Sequence, residues 1–148
     1  MVNKELKHPV TRKMKINIDT ITRASKELIG NIIRTPTIRS QHLSSEINGE
    51  VFLKLENLQY TSSFKVRGAY TSITRLKEEQ KKMGVIAMSA GNHAQAVAWW
   101  AKKERVNATI VMPEHAPLFK VMKTKSLGAD VILRGRTLNE SQTYVSEL

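Results

Sequence analysis

Four short apolar runs constrain this chain most: VFLKL (51–55), VIAMS (85–89), ATIVM (108–112) and ADVIL (129–133). They are largely β-branched, and helix-length segments lie between them at 64–80, 92–104, 117–127 and from about 137 onward. Continuous apolar runs of this length read as buried strands. Strand and helix alternating four times predicts an α/β fold, a parallel sheet with flanking helices. Ahead of it, DTITRASKELIG (19–30) carries a helix N-cap, a periodic Ile21, Ala24, Leu28 stripe and Gly30 as a stop. TPTIRSQHLSSEINGE (35–50) is turn-rich and reads as a connection. Ligands of such sheets bind where strands lead into helices, so those loops are the place to search.

Composition removes several alternatives. With 41% apolar and 25% charged residues, the chain lies near the globular average and should fold. It has no cysteine, which excludes disulfides, thiolate metal sites and a cysteine nucleophile. The N-terminal MVNKELKHPVTRKMKINID has charges and a proline where a signal peptide needs an apolar centre, and no apolar run could span a bilayer. A cytoplasmic protein without membrane contact is expected. The net charge of +11 raises a nucleic-acid reading, but the basic residues are spread out. The densest set is Lys4, Lys7, Arg12, Lys13 and Lys15, and 5% aromatics make no base-stacking platform. No nucleic-acid partner is expected.

The first strand-to-helix loop leads to TSSFKVRGAY (61–70). Val66, Ala69, Tyr70, Ile73 and Leu76 define one helical stripe, with Lys65 at its edge in the first turn and Ser62 or Ser63 as cap. A helix N-terminus and apolar neighbours both favour the neutral amine, the form that attacks carbonyls. Equally, a lysine stem can cover the helix while its head reaches water. The second loop, SAGNH (89–93), offers Gly91 for close backbone approach, and Asn92, His93 and free amides for an anion. Alone it reads as well as a plain turn capped by Asn92.

Together the motifs are specific. SSFKVRGA, then SAGNHAQAVA, ATIVMPEHAPLFKV and GADVILRG, in this order over roughly residues 18–136, resemble the fold type II pyridoxal-phosphate enzymes. Within them the chain is most similar to the threonine (serine) dehydratases. The resemblance implies pyridoxal 5'-phosphate as cofactor, with Lys65 forming its Schiff base, Phe64 against the pyridine ring and Asn92 on the ring hydroxyl. It implies that the Ser89, Ala90, Gly91, Asn92, His93 loop takes the carboxylate of an amino-acid substrate. It further implies deamination of threonine or serine to a 2-oxo acid, and a homo-oligomer for the full-length family. Residues 1–50 would be an arm and helix of the family's large domain, and 51–148 the small α/β domain carrying Lys65.

By the same resemblance, cysteine and threonine synthases differ around the lysine and usually carry Thr-Gly after the asparagine, where this chain has His93, Ala94 and Gln95. Serine racemases resemble it more closely, but their second loop serine, a proton donor, is replaced by Ala90. The family's phosphate-binding glycine run has no counterpart, because the seven glycines (30, 49, 68, 84, 91, 128, 135) are isolated. The chain thus resembles the first part of a dehydratase, and alone it is expected to bind cofactor weakly and turn over little. A non-catalytic remnant or interaction module is the competing reading.

Other residues read as structural. Glu56, Glu78 and Glu79 are expected in surface ion pairs, and His8, His42 and His115 have no metal spacing. Pro117 reads as a first-turn helix residue. Trp99 and Trp100 are adjacent on one helix and can hardly share one core, so one of them would mark a domain or subunit contact.

Overall fold

The computed structural model describes residues 16–148; His8 and the basic set Lys4, Lys7, Arg12, Lys13 and Lys15 lie outside them. In chain order the elements are α1 (Ile18–Glu27), β1 (Thr37–Arg39), α2 (Gln41–Glu46), β2 (Phe52–Lys54), a 3-10 turn (Glu56–Leu58), α3 (Lys65–Thr74) and α4 (Glu78–Met83). They continue with β3 (Val85–Met88), α5 (Asn92–Lys103), β4 (Ala108–Met112), α6 (Leu118–Ser126), β5 (Asp130–Leu133) and α7 (Leu138–Glu147). Among the described residues no helix is long and apolar enough to cross a membrane.

The expected parallel sheet is present with three strands in the order β3-β4-β5, all parallel. β4 lies in its centre, with Ile110, Val111 and Met112 fully buried. The fourth expected strand does something else. β2 pairs antiparallel with β1, Leu53 opposite Ile38, in a separate two-stranded ribbon whose residues are all exposed. An apolar run does not reveal whether its partner is a sheet or a single strand, and Phe52 stays 57% exposed. Its partner lies inside the segment read as a connection, which also holds α2, capped by Ser40.

Helix ends follow local chemistry. The N-cap of α1 is Asn17 rather than Asp19: its side chain accepts the Thr20 N–H at 2.9 Å while Thr20 Oγ1 accepts the Asn17 N–H at 3.1 Å. Of the α1 stripe, Leu28 is buried just past the helix while Ile21 remains exposed. The segment 64–80 is two helices, not one. Gln80 Oε1 accepts the Lys77 N–H at 2.9 Å and starts α4 without a glycine or proline to signal the break. Pro117 sits one residue before α6, at its cap.

The core is the interface of α3, α5 and the sheet, built from Val66, Ala69, Ile73, the buried alanines of α5, and Ile110. Both tryptophans pack on this one core, against the expectation that they could hardly share it, and they differ in depth. Trp100 is buried, donates from Nε1 to the Val66 carbonyl at 2.8 Å, and meets Tyr70 edge-on at 4.7 Å. Trp99 is half-buried and stacks on Tyr60 at 5.3 Å.

Two glycines should respond oppositely to alanine. Gly84 has φ +87, and a Cβ there would stand 2.9 Å from the Asn107 carbonyl oxygen. Gly84→Ala should therefore destabilise by more than about 1 kcal/mol. Gly68, inside α3, would place a Cβ in open space. Gly68→Ala should stabilise by about 0.5–1 kcal/mol, and urea unfolding of both variants checks the pair.

Candidate active site

Lys65 is the first residue of α3, and what precedes it is firmly held. Gln59 is buried, and its side chain accepts the Ile33 N–H at 3.2 Å and donates to the Ile33 carbonyl at 2.6 Å. Thr61 and Ser63 are also buried, and between them Ser62 takes a left-handed φ of +54. The helix has no formal side-chain cap, but Ser63 Oγ accepts the Lys65 N–H at 3.4 Å. The loop thus turns its small polar residues inward and delivers Phe64 and Lys65 to the surface, where both are exposed.

The Lys65 amine lies 5.0 Å from the centre of the Phe64 ring, within cation–π range. Both residues stand on a cleft of about 490 Å³, whose wall continues through Gly68, Ile73, Val85 and His93. Small-ligand sites span roughly 300–1,000 Å³ and are mostly apolar with a few polar groups, which describes this cleft. The pKa of His93 lies below its ordinary range, first because the ring is partly desolvated and second because of the nearby Lys65 charge. The lysine and the second loop therefore share one electrostatic environment.

In that second loop Ser89 Oγ accepts the Gly91 N–H at 3.2 Å, while the Ser89 N–H reaches the Val111 carbonyl at 3.1 Å. Gly91, not Asn92, is the residue before α5, and Asn92 opens the helix exposed. The first N–H groups of α5 have no intrahelical acceptor and carry the positive end of its dipole. Apart from its chain neighbours, no protein atom lies within 4 Å of where a Gly91 Cβ would stand. Ala90 is half-buried against the core.

One feature was missed from sequence. Glu56 is not a surface ion pair: its side chain is 15% exposed, and it accepts Arg67 Nε and Nη2 at 2.8 Å each and Thr35 Oγ1 at 2.6 Å. The Arg67 hydrogen bonds hold its carboxyl at about 2, below the ordinary 4.5, and Arg67 is raised in turn. With a folded value below the unfolded one, Glu56 stabilises fully above pH 4.5 and loses this as pH falls toward 2. Arg67 is partly open to solvent, so the contribution is about 1–2 kcal/mol. Glu56→Gln should flatten the loss of stability between those limits, read by denaturant unfolding at stepped pH. By contrast, Glu78 does form the expected surface pair, with Lys81 at 3.2 Å.

The cleft thus joins a lysine at a helix start to an apolar wall and to His93 of the second loop, and comparison with known proteins gives the class of the chain. Residues 28–148 match the pyridoxal-phosphate dependent enzyme family, and the chain belongs to it. Among its relatives is the catabolic L-threonine dehydratase TdcB of Staphylococcus aureus (strain USA300), 52% identical over 134 residues. That match covers 90% of this chain and 39% of the relative, so the chain spans well under half the relative's length. Maize serine racemase is similar in structure, with a TM-score of 0.81, 34% identity, and coverage of 88% of this chain and 40% of that one. The processed threonine deaminase isoform 2 of Solanum lycopersicum gives a TM-score of 0.77 and 34% identity over 89% of this chain and 38% of its own. These neighbours carry the same fold type II α/β architecture.

Proposed function

We propose that this chain is the lysine-bearing part of a threonine (serine) dehydratase. The observation that carries the reading is Lys65 itself, exposed at the mouth of an apolar cleft with Phe64 beside its amine and His93 within its field. The residues present fit the aldehyde and ring of pyridoxal phosphate: a primary amine, an aromatic neighbour and an apolar wall. No glycine run supplies converging N–H groups for its phosphate. Lys65 would hold the cofactor through Nζ, Phe64 would lie against its ring, and Asn92 would bond its hydroxyl.

When bound, pyridoxal phosphate supplies an electron sink for the charge left on the substrate Cα. The protein does the rest. The N–H groups opening α5, with Ser89, Ala90, Gly91, Asn92 and His93 around them, take the substrate carboxylate. The attraction comes from those N–H groups and the helix dipole, since the lowered pKa of His93 disfavours its charged form. The free Lys65 amine removes the Cα proton, the β-hydroxyl leaves as water, and the released enamine hydrolyses to a 2-oxo acid and ammonia. Threonine would give 2-oxobutanoate. A cytoplasmic setting, a homo-oligomer and a division of the chain near residue 50, bridged by the β1–β2 pairing, belong to the same proposal.

Racemisation is the nearest competing chemistry, since serine racemase shares the fold. It needs a proton donor on the opposite face of the substrate, and the Ala90 methyl cannot transfer one. Whatever turnover L-serine undergoes with the cofactor-loaded protein should give ammonia without D-serine, by chiral chromatography. Measurable D-serine would overturn the assignment. A scaffold role is favoured by a different observation, the exposed Leu118, Phe119 and Met122 on α6. On that reading no ammonia forms at all and the chain turns over nothing by itself.

A further inference from the structure

Helix α3 is tied down at three points. Arg75 pairs with Glu27 at 2.8 Å, the Tyr70 hydroxyl accepts from Asn31 Nδ2 at 2.8 Å, and Arg67 pairs with Glu56. The first two join α3 to the α1 region. The third differs, because both of its ends lie within the segment that bears Lys65. Glu56 opens the 3-10 turn at the start of that segment, and Arg67 stands two residues beyond the lysine.

The loop between them must hold an unusual shape. Ser62 has φ +54, and Thr61 and Ser63 point inward while Phe64 and Lys65 point out. Fixing each backbone residue costs about 1–2 kcal/mol of entropy, so a single shape needs several ties. A two-bond guanidinium–carboxylate pair fixes orientation as well as distance. The second anchor is Thr35, 3% exposed, whose hydroxyl donates to the same carboxylate and belongs to a different stretch of chain.

We propose that Glu56, through Arg67 and Thr35, is a positioning residue for Lys65: it closes the 56–67 segment and so sets where the amine meets the cleft. This rests on the reading of Lys65 as the cofactor lysine. It assigns Glu56 no contact with cofactor or substrate. Beyond its contribution to stability, the pair controls the position of the amine.

The test is the share of label that Lys65 takes among the fifteen lysines. Wild type, Glu56→Gln, Glu56→Asp and Thr35→Val are treated with limiting pyridoxal phosphate, reduced with borohydride and mapped by peptide mass, with thermal unfolding in parallel. Misplacing a reacting group by about 1 Å can cost a hundredfold, so a Lys65 share lower by about fivefold or more is expected for Glu56→Gln. Glu56→Asp should recover part of it, and Thr35→Val should show a smaller drop. An unchanged share in folded Glu56→Gln, even with a lower Tm, would mean a structural pair only and overturns the proposal. If Glu56→Gln does not fold, Thr35→Val decides: a lowered share supports the proposal and an unchanged one overturns it. A wild type with no preference for Lys65 would sink the cofactor reading and this proposal together, whereas selective labelling in wild type and variants alike sinks this proposal alone.

Discussion

Under the proposed function, Lys65→Ala is expected to abolish any deamination of threonine or serine, however slow in this chain alone, while leaving its stability nearly untouched. The two halves of the result come from different observations. Lys65 is exposed and its amine donates no hydrogen bond to the core, so its truncation should move Tm by no more than a surface substitution does. In the proposed reaction the same amine both holds the cofactor and removes the Cα proton. Losing an acid–base group alone lowers a rate by about 10²–10⁴-fold, and losing the covalent attachment adds to that. Lys65→Arg should not rescue, because a guanidinium stays charged and forms no such bond. A 2-oxo acid assay with added pyridoxal phosphate, run beside a melting curve, checks both halves. Full activity in Lys65→Ala would remove Lys65 from the chemistry.

Trp100→Ala should be the most damaging change to the fold, at about 3–5 kcal/mol. Its side chain is 6% exposed, fills the junction of α5 with α3, and meets Tyr70 edge-on. Its indole N–H also ends on the Val66 carbonyl, one residue beyond Lys65, so the loss reaches the candidate site. Domains of this size are stable by about 5–15 kcal/mol, which makes the change a large fraction of the total. Trp100→Phe keeps the ring and loses the hydrogen bond, and should cost about 1 kcal/mol. Trp99→Ala, at a half-buried position, should cost less than Trp100→Ala. Chemical denaturation of the three variants ranks them, and equal losses at Trp99 and Trp100 would contradict the packing described.

The sequence made the regular part of this fold legible. Runs 85–89, 108–112 and 129–133 became adjacent parallel strands because β-branched residues in a continuous run suit a strand, although only the central β4 is buried along its length. The same signal misled at 51–55, where Phe52 and Leu53 lie in an exposed ribbon. Its partner Thr37–Arg39 is too short and mixed to declare itself. At the site, the motifs singled out Phe64, Lys65, Ser89, Ala90, Gly91, Asn92 and His93, and of these Phe64, Lys65 and His93 line one cleft while the other four do not. Glu56 was illegible. Its partner Arg67 is eleven residues away around an irregular loop, and no periodic rule links positions across a loop. The caps were nearly right for the same reason that boundaries are hard: Gly91 and Pro117 each stand one position from where local preference put them.

The central claim is that Lys65, among fifteen lysines, is the one built to carry pyridoxal phosphate. Titration of the purified protein with that cofactor, followed by borohydride reduction and peptide mass mapping, tests it directly. The account predicts saturable incorporation with the pyridoxyl mass on Lys65, absent from Lys65→Ala. Nonsaturable label spread evenly over the exposed lysines, the same in both proteins, would contradict it.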